Sequence, residues 1–120
     1  MMARIRKIMS KPVITITPHK TVREAANLMA DRDIECLVVA WGDRAIGIIT
    51  EKDLVRKVIA ENLPYNTDVY QVMSKPLITI NSDAHLDEAR EKMKKYGISR
   101  LPVEDEGKLV GIVTVSDISE

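Results

Sequence analysis

Apolar and polar positions along this chain switch between a period of two and a period near 3.6. Val13-Ile14-Thr15-Ile16 is a short β-branched run behind Pro12, where a missing N–H is tolerated, and it predicts a strand. Thr21-Val22-Arg23-Glu24 has the form of a capping box, a hydroxyl followed three residues on by a carboxylate. Val22, Ala25, Ala26, Met29 and Ala30 then recur at helical spacing and give one apolar face. Cys36 to Ala40 is nearly continuous in apolar residues, which predicts a strand covered on both faces. Gly42-Asp43 makes a turn, and Ala45 to Thr50 returns as a third strand. From Glu51 to Glu61, Leu54, Val55, Val58 and Ile59 lie at helical spacing and predict a second amphipathic helix. The unit reads β-α-β-β-α.

The same order returns 64 residues later. Leu77 to Ile80 predicts a strand, and Ala84 to Tyr96 a helix with Leu86, Ala89 and Met93 inward. Leu101 to Val103 and Leu109 to Thr114 predict strands around the Asp105-Glu106-Gly107-Lys108 turn. IMSKPVITI at 8–16 comes back as VMSKPLITI at 72–80, GIIT at 47–50 as GIVT at 111–114, and Asp53 as Asp117. Without a gap, 17 of the 52 positions from Ile5 to Arg56 are identical in the two copies. Self-similarity at a fixed period marks a repeated architecture. The chain is an internal duplication, with a first repeat at 5–61, a linker at 62–68 and a second repeat at 69–120. The expected fold class is α/β of the α+β type: two three-stranded sheets related by a pseudo-twofold axis, with helices on their outer faces. Only Ile118, Ser119 and Glu120 remain for the last helix, so the second repeat is read as shortened there.

Composition narrows the class. Each half alone would be marginal, since a domain of about 60 residues buries only about 60% of its unfolded surface, and two halves sharing a core solve that problem. Lys plus Arg and Asp plus Glu each number 18, so no net charge draws the chain toward nucleic acid. The single cysteine, Cys36, excludes an intramolecular disulfide and fits a reducing cytoplasm. No apolar run approaches the roughly 20 residues of a membrane span, and no signal-peptide pattern occurs. His19 and His85 fall two positions apart in the repeat register and have no Cys or second His at ligand spacing, so no metal is expected. No Ser/His/Asp, Cys/His or paired-carboxylate arrangement points to catalysis, and Cys36 reads as a small core residue. Trp41, at a turn, fits either a contact for another subunit or a cover for its hairpin.

Two in-register copies of Met-Ser-Lys-Pro with Ile-Thr-Ile, each followed by Gly-Ile-(Ile/Val)-Thr-x-x-Asp, resemble a tandem pair of cystathionine β-synthase (CBS) domains, or Bateman module. The resemblance runs from Ile5 to Glu120. It implies a stand-alone regulatory module that binds AMP, ADP, ATP or S-adenosylmethionine in clefts between the copies and signals to a separate protein. No cofactor is required, and no enzymatic activity is implied. Related modules form flat dimers through the helix carrying Leu54, Val55, Val58 and Ile59, so a homodimer is expected.

The matched residues have chemistry of their own. Thr50-Glu51-Lys52-Asp53 and Thr114-Val115-Ser116-Asp117 sit at predicted strand-to-helix turns. A helix N-terminus suits a phosphate, and a first-turn carboxylate can accept both hydroxyls of a ribose. The same Thr-x-x-Asp pattern is nearly a capping box, and the two roles can coexist. The resemblance implies that each site is built from both copies. Thr50 and Asp53 would act with Ile98, Ser99 and Arg100, and Thr114, Ser116 and Asp117 with Ile34, Glu35 and Cys36. Arg100 offers a forked donor for phosphate, or pairs with Glu104 or Asp105 at the surface. Glu35 departs from the pattern. A carboxylate about 6 Å from a phosphate costs on the order of 0.7 kcal/mol in water and about 3 at an effective dielectric of 20. The Asp53 site is therefore expected to be the better one for an anionic ligand. Two alternatives stand beside this reading: a ligand-free interaction or dimerisation module, and a nucleic-acid-associated module suggested by Arg4, Arg6, Lys7 and Lys11.

Overall fold

The structure, a computed structural model, describes residues 3–118. In chain order it contains α1 (Ile5–Ile8), β1 (Thr15–Ile16), α2 (Val22–Arg32), β2 (Cys36–Trp41), β3 (Arg44–Thr50) and α3 (Glu51–Asp53). A π-helix (Leu54–Ile59) continues α3, and α4 (Val69–Val72), β4 (Ile80–Asn81), α5 (Leu86–Tyr96), β5 (Arg100–Asp105), β6 (Lys108–Thr114) and α6 (Val115–Ile118) follow. Ser119 and Glu120, which the shortened last helix was expected to include, lie outside the described residues.

The fold is a mixed α/β architecture with two three-stranded sheets, as expected. β1 pairs parallel with β2, and β2 antiparallel with β3; β4, β5 and β6 repeat that order and those directions. Even the irregularities repeat. The register shifts after Val39 in one hairpin and after Val103 in the other, and Val39 faces Gly47 as Val103 faces Gly111. Leu37, Val38, Val39 and Ala40 are all buried, as the continuous apolar run predicts. Thr21 caps α2 as read: Glu24 N–H donates to Thr21 Oγ1 at 3.1 Å, and Thr21 N–H to Glu24 Oε1 at 3.0 Å. α2 ends on Asp33 and α5 on Gly97, each in the left-handed region.

The chain divides into two compact units, Ile14 to Leu77 and the residues up to Val13 together with those from Ile78 onward. Each unit thus combines the sheet and long helix of one repeat with the entrance segment of the other. In the first unit Val69 and Val72 of α4 enter the core with Val22, Met29, Leu37, Ile49 and Val58. Val69 N–H donates to Lys20 O and Ser74 N–H to Ile48 O, both at 2.8 Å. In the second unit Ile5 of α1 joins Ile80, Met93, Leu101, Val113 and Ile118. Ile5 N–H donates to Ala84 O and Ser10 N–H to Ile112 O, again at 2.8 Å.

Three local features differ from the expectation. α1 and α4 were not anticipated: four residues with apolar positions three apart are too short to establish a helical period. β1 and β4 are two residues each and begin later than their β-branched runs, behind cis Lys11–Pro12 and Lys75–Pro76 bonds. The helix expected over 51–61 is α-helical only to Asp53 and then widens, with Ala60 N–H on Val55 O and Leu63 N–H on Val58 O, both at 2.9 Å. Val55, Val58 and Ile59 are β-branched and crowd a tight α-turn. The single apolar face splits accordingly: Val58 is buried, while Val55 and Ile59 are exposed.

Candidate functional site

Each sheet delivers its Thr-x-x-Asp turn beside the start of its own middle strand. In the first unit β2 and β3 pair Cys36 with Thr50, and Glu51 N–H donates to Glu35 O at 2.9 Å. In the second, β5 and β6 pair Arg100 with Thr114, and Val115 N–H donates to Ser99 O at 2.9 Å. Thr50, Asp53, Glu35 and Cys36 therefore lie at one end of one sheet, and Ser99, Arg100, Thr114, Ser116 and Asp117 at the same end of the other. Ile34 and Ile98, one residue earlier still, are partly buried against their respective cores.

The capping role of Thr50 and Asp53 is present in full. Asp53 N–H donates to Thr50 Oγ1 at 3.1 Å, while Asp53 Oδ2 accepts the Thr50 N–H at 3.0 Å and its hydroxyl at 3.2 Å. The other oxygen, Oδ1, accepts Ser74 Oγ at 3.4 Å and faces Lys57 Nζ at 3.1 Å. Lys57 Nζ also donates to Val72 O at 3.0 Å. Asp53 is buried, 7% exposed, and the cation and hydroxyl compensate the cost of removing its charge from water. In the second unit Asp117 Oδ2 accepts Thr114 N–H at 2.8 Å and Thr114 Oγ1 at 3.1 Å. The Thr114 and Ser116 hydroxyls are 2.9 Å apart. Arg100 Nη1 donates to Ser99 Oγ at 3.2 Å.

Sequence reasoning missed Ser74 and Lys57 as neighbours of Asp53. The signals were available: Ser74 belongs to the duplicated Met-Ser-Lys-Pro, and Lys57 stands four residues after Asp53, a helical ion-pair spacing. The other candidates find structural partners. His19 Nδ1 lies 3.5 Å from Asp68, and its ring meets Trp41 edge-on at 5.4 Å, with Trp41 remaining half exposed. Arg4 donates to Asp83 O at 2.6 Å and Arg6 pairs with the Asp83 carboxylate, so both hold the N-terminal segment to the β4–α5 loop. Among the described residues no group of three or more His, Cys, Asp or Glu side chains could hold a metal ion, and no helix is long and apolar enough to cross a membrane.

The profile of the CBS domain family matches residues 5–60 and 69–120, one match per repeat. The chain belongs to the CBS domain family. An uncharacterized protein of Methanopyrus kandleri is 41% identical to this CBS pair over 117 residues, covering 95% of the chain. The chain spans 60% of that protein's length. A solved structure of an uncharacterized conserved protein from Pyrococcus horikoshii has a TM-score of 0.89 and 39% identity, covering 98% of this chain and 90% of that one. The CBS domain pair of protein MJ0100, solved in complex with 5′-methylthioadenosine and S-adenosyl-L-methionine, has a TM-score of 0.87 and 34% identity, covering 98% of this chain and 93% of that one.

Proposed function

We propose that this CBS pair is a cytoplasmic regulatory module that binds an adenosine-containing ligand and acts on a separate protein through that binding rather than through catalysis. The observation that carries the reading is the pair of strand-to-helix turns, each with a carboxylate in its first turn and a middle-strand backbone alongside. The relative solved with 5′-methylthioadenosine and S-adenosyl-L-methionine supports the ligand class, since both contain adenosine. In this reading the aspartates take the ribose hydroxyls. Backbone groups at Ile34–Cys36 and Ile98–Arg100 read the adenine edge, and the Ile side chains flank the ring. Arg100 serves a phosphate of AMP, ADP or ATP, whereas Glu35 disfavours one.

Calorimetric titration of AMP, ATP and S-adenosylmethionine tests this. Wild type should bind at least one of them, and Asp53→Asn combined with Asp117→Asn should weaken binding roughly ten- to hundredfold, the loss of about 1.5–3 kcal/mol expected for a charge-assisted hydrogen bond. Arg100→Ala should weaken AMP and ATP more than adenosine. Affinity unchanged in the double variant would overturn the assignment.

A further inference from the structure

Four protein groups already surround the Asp53 carboxylate, the Ser74 hydroxyl being the most distant. A carboxylate offers about four lone-pair sites. Oδ2 takes the Thr50 N–H and hydroxyl; Oδ1 takes Ser74 Oγ at 3.4 Å and Lys57 Nζ at 3.1 Å. Lys57 spans two elements, because the same Nζ donates to Val72 O at 3.0 Å. The Val72–Ser74 segment is in turn zipped to β3, with Ser74 N–H on Ile48 O at 2.8 Å and Ile48 N–H on Ser74 O at 3.4 Å. The widened turn that follows Asp53 carries Lys57, and π-helical turns recur at functional positions.

Asp117 is in a different condition. Its Oδ2 accepts from Thr114 as Asp53 does from Thr50, but its Oδ1 has no hydrogen-bond partner among the described residues. Ser10, the counterpart of Ser74, keeps the backbone pairing with Ile112 at 2.8 and 3.1 Å. Its hydroxyl makes no hydrogen bond to Asp117 among the described residues.

We infer that Lys57 and Ser74 form a latch that occupies Asp53, so that Asp53 receives ligand hydroxyls only when Ser74 Oγ and Lys57 Nζ leave Oδ1. The inference rests on the proposed adenosine site and adds its regulation. Asp117 needs no such exchange and takes a neutral ligand first. Engagement of Asp53 releases the Val72 carbonyl and loosens the Val72–Ser74 segment, which belongs to the entrance of the second repeat. A ligand free energy spent on opening the latch lowers apparent affinity by the fraction of time the latch is open. Lys57 and Ser74 are thus the residues that set when the Asp53 carboxylate is available.

Adenosine is the probe, because it has no phosphate for the Lys57 charge to attract. In an Asp117→Asn background, which leaves Asp53 as the reporting carboxylate, Ser74→Ala and Lys57→Met should each tighten adenosine binding about tenfold. Asp53→Asn added to either should abolish the gain. Ser74→Ala guards against a Lys57→Met chain that does not fold with its buried carboxylate unpaired. Affinity unchanged or weakened in both variants overturns the latch and leaves the adenosine site standing. A ligand-free arm reads the latch itself: in Ser74→Ala or Lys57→Met the amides of residues 72–74 should exchange with deuterium at least threefold faster, relative to the core amides of β2. Unchanged exchange overturns the latch. Should wild type and every variant bind neither adenosine, AMP nor S-adenosylmethionine, the proposed function falls, and the exchange rates alone decide for or against the latch.

Discussion

The duplicated Met and the duplicated Gly are one contact written twice. A Cβ at Gly47 would stand 2.5 Å from Met73 Sδ, and a Cβ at Gly111 2.5 Å from Met9 Sδ. Such a distance leaves no room for the extra carbon without displacing the thioether. Met73 is buried and Met9 half-buried, but at Gly111 the Met9 Cγ and Cβ also stand at 2.8 and 3.2 Å. Gly47→Ala and Gly111→Ala should therefore each destabilise by about 1–3 kcal/mol, the usual cost of overpacking. Denaturant unfolding of the two variants checks this; equal stability of both with wild type would show that the methionines yield freely. The repeated glycines were visible in the chain, but the reason for them was not, because their partners come from the opposite repeat.

Among the elements, the start and the apolar face of α2 were read correctly, since its capping box and apolar spacing are local. Its pH response follows from the cap. Hydrogen bonds from the Thr21 N–H and hydroxyl hold the Glu24 carboxyl below its ordinary range, with the Lys20 charge adding to them against a small opposing effect of burial. A folded-state value below the unfolded one means the contribution is complete above the usual carboxylate range and disappears as pH falls through the lowered value. Glu24→Gln should melt below wild type at neutral pH, and the gap should close on acidification below the ordinary carboxylate range. A gap that widened in acid would contradict the sign. The element after β3 was misread in type. Its spacing of Leu54, Val55, Val58 and Ile59 fits an α-helix, and only the observed hydrogen bonds reveal the wider turn.

For the whole molecule, the split of that apolar face has a consequence for assembly. Val55 is 60% exposed and Ile59 56%, with Tyr65 at 49% nearby in the chain. We propose that a second copy of the chain covers this patch, with the same residues meeting across a twofold axis. Light scattering at tens of micromolar should give a dimer mass, and Val55→Asp with Ile59→Asp should give a monomer. A monomeric wild type, or a dimer that survives both substitutions, would exclude the patch as the interface.

The amino-acid sequence by itself determined the duplication, the order of the strands and of the two long helices, the hairpin turns and the placement of Thr50, Asp53, Thr114 and Asp117 at strand-to-helix junctions. All of these follow from spacing between near neighbours, and a period of two or 3.6 reports them directly. Tertiary structure alone decided which Met-Ser-Lys-Pro segment belongs to which sheet. The two copies are identical in those four residues, so local pattern cannot distinguish Met73 from Met9 over Gly47. It also decided that Ser74 reaches Asp53. Thr50 and Lys57 stand three residues before and four after that carboxylate, whereas Ser74, 21 residues on, arrives only once the chain has folded, since a buried carboxylate finds donors wherever the fold brings them.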